Sequence, residues 1–311
     1  MAYRVILVLA IAAVFFVCGL VRERLEHPAR PESVPFWQCD RIVAMTPGVV
    51  EVLDNLGLND RIVGVAAECR GMPSVLGKPE IGASDTPNYE SLVAVRPDLV
   101  ILGQKQSGPF ANLKKLKFET LFVPDRTVED VVESYRTIGR VCGKGADGRR
   151  IAQSLEARLA NVRGKVEGRP RPSVLVTCEQ AKDIGLPRSR GVVGDDPFVN
   201  NVIELAGGQK AYLPEGRCRS VVSPAWIVRV NPEVIVDFVA PETLATSDRE
   251  EVPARWRPFD QVAAVQNRRV LMVGQDTENV HGLRSIDLVE ALAKKMHPEV
   301  EWDEATADVP P

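Results

Sequence analysis

NYESLVAVRPDLVIL (Asn88–Leu102) and SPAWIVRVNPEVIVD (Ser223–Asp237) are the two stretches on which the fold turns. Each opens with a short amphipathic run, reaches a proline followed by an acid, and ends in aliphatic residues of strand character. Pro97 and Pro232 stand in the same register. A second pair agrees: PGVVEVLDNLG (Pro47–Gly57) and PFVNNVIELAG (Pro197–Gly207) both run from proline to glycine over the same spacing, with Leu53 matching Ile203. One such match is what any two strand–helix units could show. Two, in the same order on either side of a long helical stretch, imply two lobes of similar design.

Working outward, short β-branched runs alternate with helical ones. Strands are expected at Arg41–Met45, Arg61–Val65, Asp98–Leu102 and Glu119–Val123, then at Ser173–Thr177, Val234–Phe238 and Arg269–Val273. Helices are expected at Gly48–Leu56 (closed by Gly57), Pro197–Leu205 and Ser285–Lys295. This alternation predicts βαβ units and mainly parallel sheets. Between the halves, Val128, Val131, Val132, Tyr135, Ile138 and Val141 keep helical spacing. After a break at Gly143–Gly148 the period resumes through Ile151, Leu155, Leu159, Val162 and Val166, with Asp147 placed to cap. The expected organisation is an N-terminal lobe over 39–146, a linking helix over 147–168, a C-terminal lobe over 169–300 and a tail over 301–311.

Residues 1–21 read differently. After Arg4 the run Val5–Val21 is apolar throughout and is closed by Arg22 and Arg24. A basic start and an apolar run mark a segment handed to the membrane, either as a cleaved signal or as an anchor. Residues 22–38, charged and proline-bearing, read as a tether. The rest of the chain is therefore expected outside the cytoplasm, at the periplasmic or extracellular face of the membrane. Five cysteines lie beyond the apolar run (Cys39, Cys69, Cys142, Cys178 and Cys218); export makes disulfides possible, and the odd number leaves at least one thiol over.

Composition excludes several classes. A net charge of −3 with no basic run gives no footprint for nucleic acid. Three histidines make a polyhistidine metal centre improbable. There is no GxSxG elbow, P-loop, HExxH or strand-borne GxGxxG, so no enzyme, resident metal or cofactor is expected. GKGADG at 143–148 follows a helix rather than a strand and so does not form a phosphate cradle.

The ordered set DRIVAMTPGVVEVLDNLGLNDRIVGV (Asp40–Val65), NYESLVAVRPDLVIL, GVVGDDPFVNNVIELAGG (Gly191–Gly208), SPAWIVRVNPEVIV and LRSIDLVEALAKKMHPEV (Leu283–Val300) resembles the ABC-importer substrate-binding proteins for ferric siderophores, haem and cobalamin. The resemblance covers about Cys39 to Val300. It implies an α/β fold of two Rossmann-like lobes joined by a single long helix, with the ligand in a cleft between them. It also implies a glutamate on each lobe's outer surface for docking to an ABC permease. Glu90 holds that position in the first lobe, but its counterpart is Ala225; Asp237 or Glu242 could substitute.

Ligand candidates are the residues just after strands: Thr46, Glu68, Arg70, Ser84, Gln104 and Arg126 in the first lobe, and Arg217, Arg219, Trp226 and Asp276 in the second. Guanidiniums at 70, 126, 217 and 219 suit a ligand rich in carboxylate or catecholate oxygens. This points to an iron chelate of the siderophore kind as the small-molecule partner. Cobalamin is less favoured because aromatic residues are only 5% of the chain, and haem would need a thiol or imidazole in the right geometry. A membrane-anchored sensor or interaction module that has lost permease docking is the reading in another class.

Overall fold

A computed structural model of the chain describes residues 39–104, 118–178, 190–211, 219–239, 253–274 and 283–302. The chain divides into two units, Met1–Phe36 and Trp37–Pro311, and all described residues belong to the second. The expected membrane segment and tether lie outside the described residues. Among those described, no helix is long and apolar enough to cross a membrane.

The first sheet contains β1 (Ile42–Ala44), β2 (Ile62–Val65), β3 (Leu99–Gly103) and β4 (Glu119–Val123) in the order β2-β1-β3-β4, with every pairing parallel. Its inner strands β1 and β3 are buried throughout, as a parallel sheet covered on both faces requires, whereas the edge strand β4 is partly exposed. Helices α1 (Pro47–Asn55) and α2 (Tyr89–Ala94) follow β1 and precede β3. Helix α3 (Val128–Val141) follows β4 and begins with a capping box, in which the Thr127 hydroxyl and the Asp130 carboxylate each accept the other's backbone N–H.

The second sheet is built from β5 (Ser173–Cys178), β6 (Arg190–Val193), β7 (Gln209–Lys210), β8 (Arg219–Val222), β9 (Val234–Val239) and β10 (Val270–Gly274). Its order is β10-β9-β5-β6-β8, with β7 also pairing β5. The β10–β9–β5 and β5–β7 pairs are parallel, whereas β6 runs antiparallel to both β5 and β8. Strands β6, β7 and β8 were not expected. They are two to four residues long, too short for a period to show. The second lobe adds α5 (Pro197–Leu205), α6 (Pro224–Val230), α7 (Ala263–Gln266) and α8 (Leu283–Met296).

The matched stretches match in geometry. Helices α2 and α6 are N-capped by the side chains of Asn88 and Ser223, accepting from Ser91 and Trp226 N–H. Both chains then turn through a left-handed residue, Arg96 (φ 44°) or Asn231 (φ 47°), directly before the proline that leads into β3 or β9. Likewise α1 and α5 carry proline in the first turn, are capped by Thr46 and Asp196, and end at Gly57 and Gly207 with positive φ.

After α3 a second and longer helix, α4 (Gly145–Val166), completes the stretch between the sheets in sequence and buries Ala152, Leu155, Leu159, Val162 and Val166 along one face. Asp147 does not cap it. Cys142 and Gly143 end α3 and the chain re-enters helix at once, with Lys144 at the cap position and no side-chain cap bond. Asp147 sits inside the first turn, 3.7 Å from Arg150. The glycines of 143–148 serve this corner: a Cβ on Gly148 would land on the Tyr135 carbonyl, and Gly139 faces Gly148 across the contact. Further along α4, Arg158 donates to Glu290 (2.8 Å) and Asp287 (2.6 Å) of α8, and these carboxylates raise its pKa.

Among the described residues the core falls into two clusters. One runs from the first sheet through α3, α4, α5 and α8. The other covers the opposite face of the second sheet around Trp256, whose ring meets Phe259 at 5.2 Å between centroids.

Candidate ligand-binding site

Parallel sheets leave their ligand sites beyond the strand C-termini, where the strand order reverses. In the first sheet that point falls between β1 and β3. Thr46 follows β1, and its hydroxyl oxygen accepts Val49 N–H (3.2 Å) to start α1. Gly103 ends β3, and its lack of a side chain makes room for Asp125: a Cβ there would overlap the Asp125 carboxylate. Thr46, Asp125 and Ser134 line a narrow crevice of about 20 Å³ at this point. Gln104, exposed, comes directly after Gly103, and Arg126, also exposed, directly after Asp125. The Arg126 backbone N–H donates to Asp130 (2.8 Å), fixing the turn into α3.

Three other expected residues are brought to the β2 side. The Glu68 carboxylate accepts both the Ser84 hydroxyl (2.7 Å) and the Ser84 backbone N–H (2.9 Å), tying two loops together. Arg70 is held at the surface by a fork onto Glu80 (2.6 and 3.1 Å), which raises its pKa. Any anion at Arg70 would therefore compete with a carboxylate already in place.

In the second sheet the reversal falls between β5 and β9, and a buried polar network sits beside it. Asp237, fully buried, accepts from the Thr177 hydroxyl (2.9 Å) and the Trp256 indole N–H (2.8 Å), with Arg255 Nε at 3.6 Å. Asp237 is therefore no docking acid; its carboxylate has no surface to offer. Glu242, the other substitute, lies outside the described residues. So do Arg217 and Asp276, and the side chain of Arg219, whose backbone pairs with Val193. Trp226 is partly buried and packs against the Trp256 cluster.

Glu90 and Ala225 occupy the same position, second in helices α2 and α6, and both are exposed.

A wider groove of about 540 Å³ shares no residue with the expected ligand set. It lies by Gly168, Arg171 and Gly207, next to the N-terminal ends of β5 and β7, at the wrong end of the sheet for a strand-terminus site. Its arginines are engaged: Arg163 with Glu129 (3.4 Å), Arg169 with Glu299 (3.6 Å), and Arg171 with the Gly208 carbonyl (2.7 Å).

A family model described as periplasmic binding protein matches residues 42–277, from the first strand past β10. The chain belongs to the periplasmic binding protein family. Curated relatives include an uncharacterized ABC transporter substrate-binding lipoprotein, YvrC, of Bacillus subtilis, 25% identical over 267 residues (83% of this chain and 80% of that protein). A vitamin B12-binding protein of Vibrio cholerae is 22% identical over 254 residues, covering 81% and 87%. The heme uptake protein IsdE of Staphylococcus aureus is 23% identical over 239 residues, covering 74% and 77%. Among solved structures, the vitamin B12-binding protein BtuF of Vibrio cholerae superposes with a TM-score of 0.68 at 20% identity, over 83% of this chain and 97% of that one. The heme-binding protein RhuT of Roseiflexus gives 0.66 at 20%, covering 83% and 98%. These likenesses establish the two-lobed fold.

As a periplasmic binding protein the chain has residues near the strand ends of both lobes that sequence reasoning missed. Asp125 is one: PDRT after β4 drew attention to its cation, Arg126, and only the β3–β4 register, Gly103 opposite Val123, reveals the acid packed over Gly103. Thr177, Arg255 and Trp256 are others; their partnership with Asp237 spans segments with no common periodicity.

Proposed function

We propose that the chain is the extracytoplasmic substrate-binding component of an ABC importer and that it captures an anionic metal chelate of the ferric-siderophore kind. Residues 39–146 and 169–300 act as the two lobes, α4 as the link, and residues 5–21 as the export segment, either a cleaved signal or an anchor. The observation that carries the reading is the family match across both sheets and the helix between them. The work is capture and a small rearrangement, with the ligand released unchanged. Relatives named for vitamin B12 and for heme bind metals enclosed in organic chelates, and a ferric chelate belongs to the same chemical range. Arg126, with Arg217 and Arg219, suits oxygen-rich anions, because a guanidinium fork meets a carboxylate or catecholate with two hydrogen bonds. Ala225 favours one further reading, a sensor that binds ligand without delivering it.

Thermal denaturation with a panel of ferric catecholate, ferric hydroxamate, haem, cobalamin and the metal-free chelators tests this. At about 100 times Kd a bound ligand adds about 2.7 kcal/mol, a Tm rise of roughly 4–5 °C for a chain of this size. The ferric catecholate is expected to give it. A shift with haem or cobalamin alone would reassign the ligand, and no shift across the panel would overturn the reading.

A further inference from the structure

Two thiols outside the ligand site meet where the domain begins. Cys39 stands three residues before β1, and Cys142 is the C-cap of α3, at the corner where α4 starts. Both are buried in the same core cluster, at 3% and 4% exposure. The Cys39 Sγ lies 3.7 Å from the carbonyl oxygen of Val141, the residue next to Cys142. The two thiols are close enough to perturb each other's ionisation. Arg61 reaches the same spot and donates to the Cys39 carbonyl at 3.1 Å.

We propose that Cys39 and Cys142 form a disulfide in the exported protein, stapling the start of β1 to the α3–α4 corner. The proposal rests on the extracytoplasmic reading above, since thiols in the cytoplasm are kept reduced. The neighbouring Cys142 thiol, followed by Arg61 among the favourable influences, lowers the pKa of Cys39; the same contact raises that of Cys142. Cys39 is thus the attacking sulfur. Its thiolate displaces one thiolate from an external disulfide, such as an oxidised thiol oxidoreductase, giving a mixed disulfide. The Cys142 thiolate then attacks the Cys39 sulfur and expels the second thiolate. Two protein thiols lose two protons and two electrons, and the external disulfide leaves as two thiols. Access needs only local opening at the first strand, beside exposed Asp40 and Arg41.

The physical consequence is at the tether. A cross-link closing about a hundred residues removes much of the unfolded chain's freedom. It also prevents β1, which pairs both β2 and β3, from peeling away from the first-lobe core. Cys69 has no such neighbour among the described thiols, and burial, with Glu68 beside it, pushes its pKa up to about 12.

The test uses the full-length chain in detergent, reduced and then equilibrated with oxidised glutathione, quenched in acid, alkylated and peptide-mapped. A cross-linked Cys39–Cys142 peptide is expected, with a Tm rise on the order of 5–10 °C that dithiothreitol reverses. Cys39→Ala and Cys142→Ala should each abolish the cross-link and the oxidant-dependent rise. Both cysteines remaining alkylatable, or either one pairing with Cys178 or Cys218 instead, would overturn the assignment. Chain alkylated in intact cells before lysis separates the pairing from the location. A pair that cross-links in vitro but is reduced in cells upholds the pairing and counts against the extracytoplasmic reading.

Discussion

Asp237 is a carboxylate with no exposed surface, and Thr177, Trp256 and Arg255 surround it. A buried charge is tolerable only when its partners replace the water it gave up, and removing one partner of such a group typically costs about 3–5 kcal/mol. Arg255→Ala should therefore destabilise the protein by about that much, read as a fall in urea midpoint at unchanged slope; a loss below about 1 kcal/mol would mean the ion pair contributes little. Cys69 makes the opposite case, a group kept neutral. Its folded pKa, about 12, lies above the ordinary thiol value of 9.0. Its contribution is thus fully present below about pH 9 and is lost as pH rises toward 12. Native Cys69 should resist iodoacetamide at pH 8 and react once urea unfolds the chain. At this scale the sequence was partly legible. Thr46, Gln104 and Arg126 could be placed beyond the ends of β1, β3 and β4 because strand ends are legible whatever their neighbours. Asp125 and Arg255 could not, because their partners are supplied by strand register and by a 3-10 segment, Ala254–Phe259, with no period to read.

The elements were more legible, because proline, glycine and capping residues act locally. Helix α5 runs over Pro197–Leu205 and β4 over Glu119–Val123, as their patterns predict. Asp147 shows where local signals stop: Gly143 and the Gly139–Gly148 contact let α4 start earlier than a capping side chain would place it. Gly148→Ala should cost about 1–3 kcal/mol by overpacking against the Tyr135 carbonyl, measurable by denaturant titration, whereas Gly164→Ala, with open space around it, should be neutral or stabilising. Helices α2 and α6 carry the docking question. Glu90→Arg should impair uptake through a cognate permease, chiefly by slowing association, with a defect that shrinks as salt rises and with ligand affinity unchanged. Ala225→Glu should leave uptake unchanged or improve it. Transport indifferent to Glu90→Arg would remove the docking role and strengthen the sensor reading.

For the whole molecule, the two-lobe design was written in the repeated stretches: the same caps, the same left-handed turn before proline, and the same exits into β3 and β9 recur on either side of α4. Short β6 and β8 were hidden, since antiparallel strands of four residues carry no signal distinct from a loop. The claim resting on this architecture is capture of one anionic chelate by residues at the strand ends. Calorimetric titration of the protein with a ferric catecholate chelate, beside the Gln104→Ala/Arg126→Ala double variant, tests it most directly. The account predicts one ligand per chain, an affinity that weakens as salt rises, and a loss of about 2–5 kcal/mol in the variant. Binding with the same affinity in both proteins, or none in either, would contradict it.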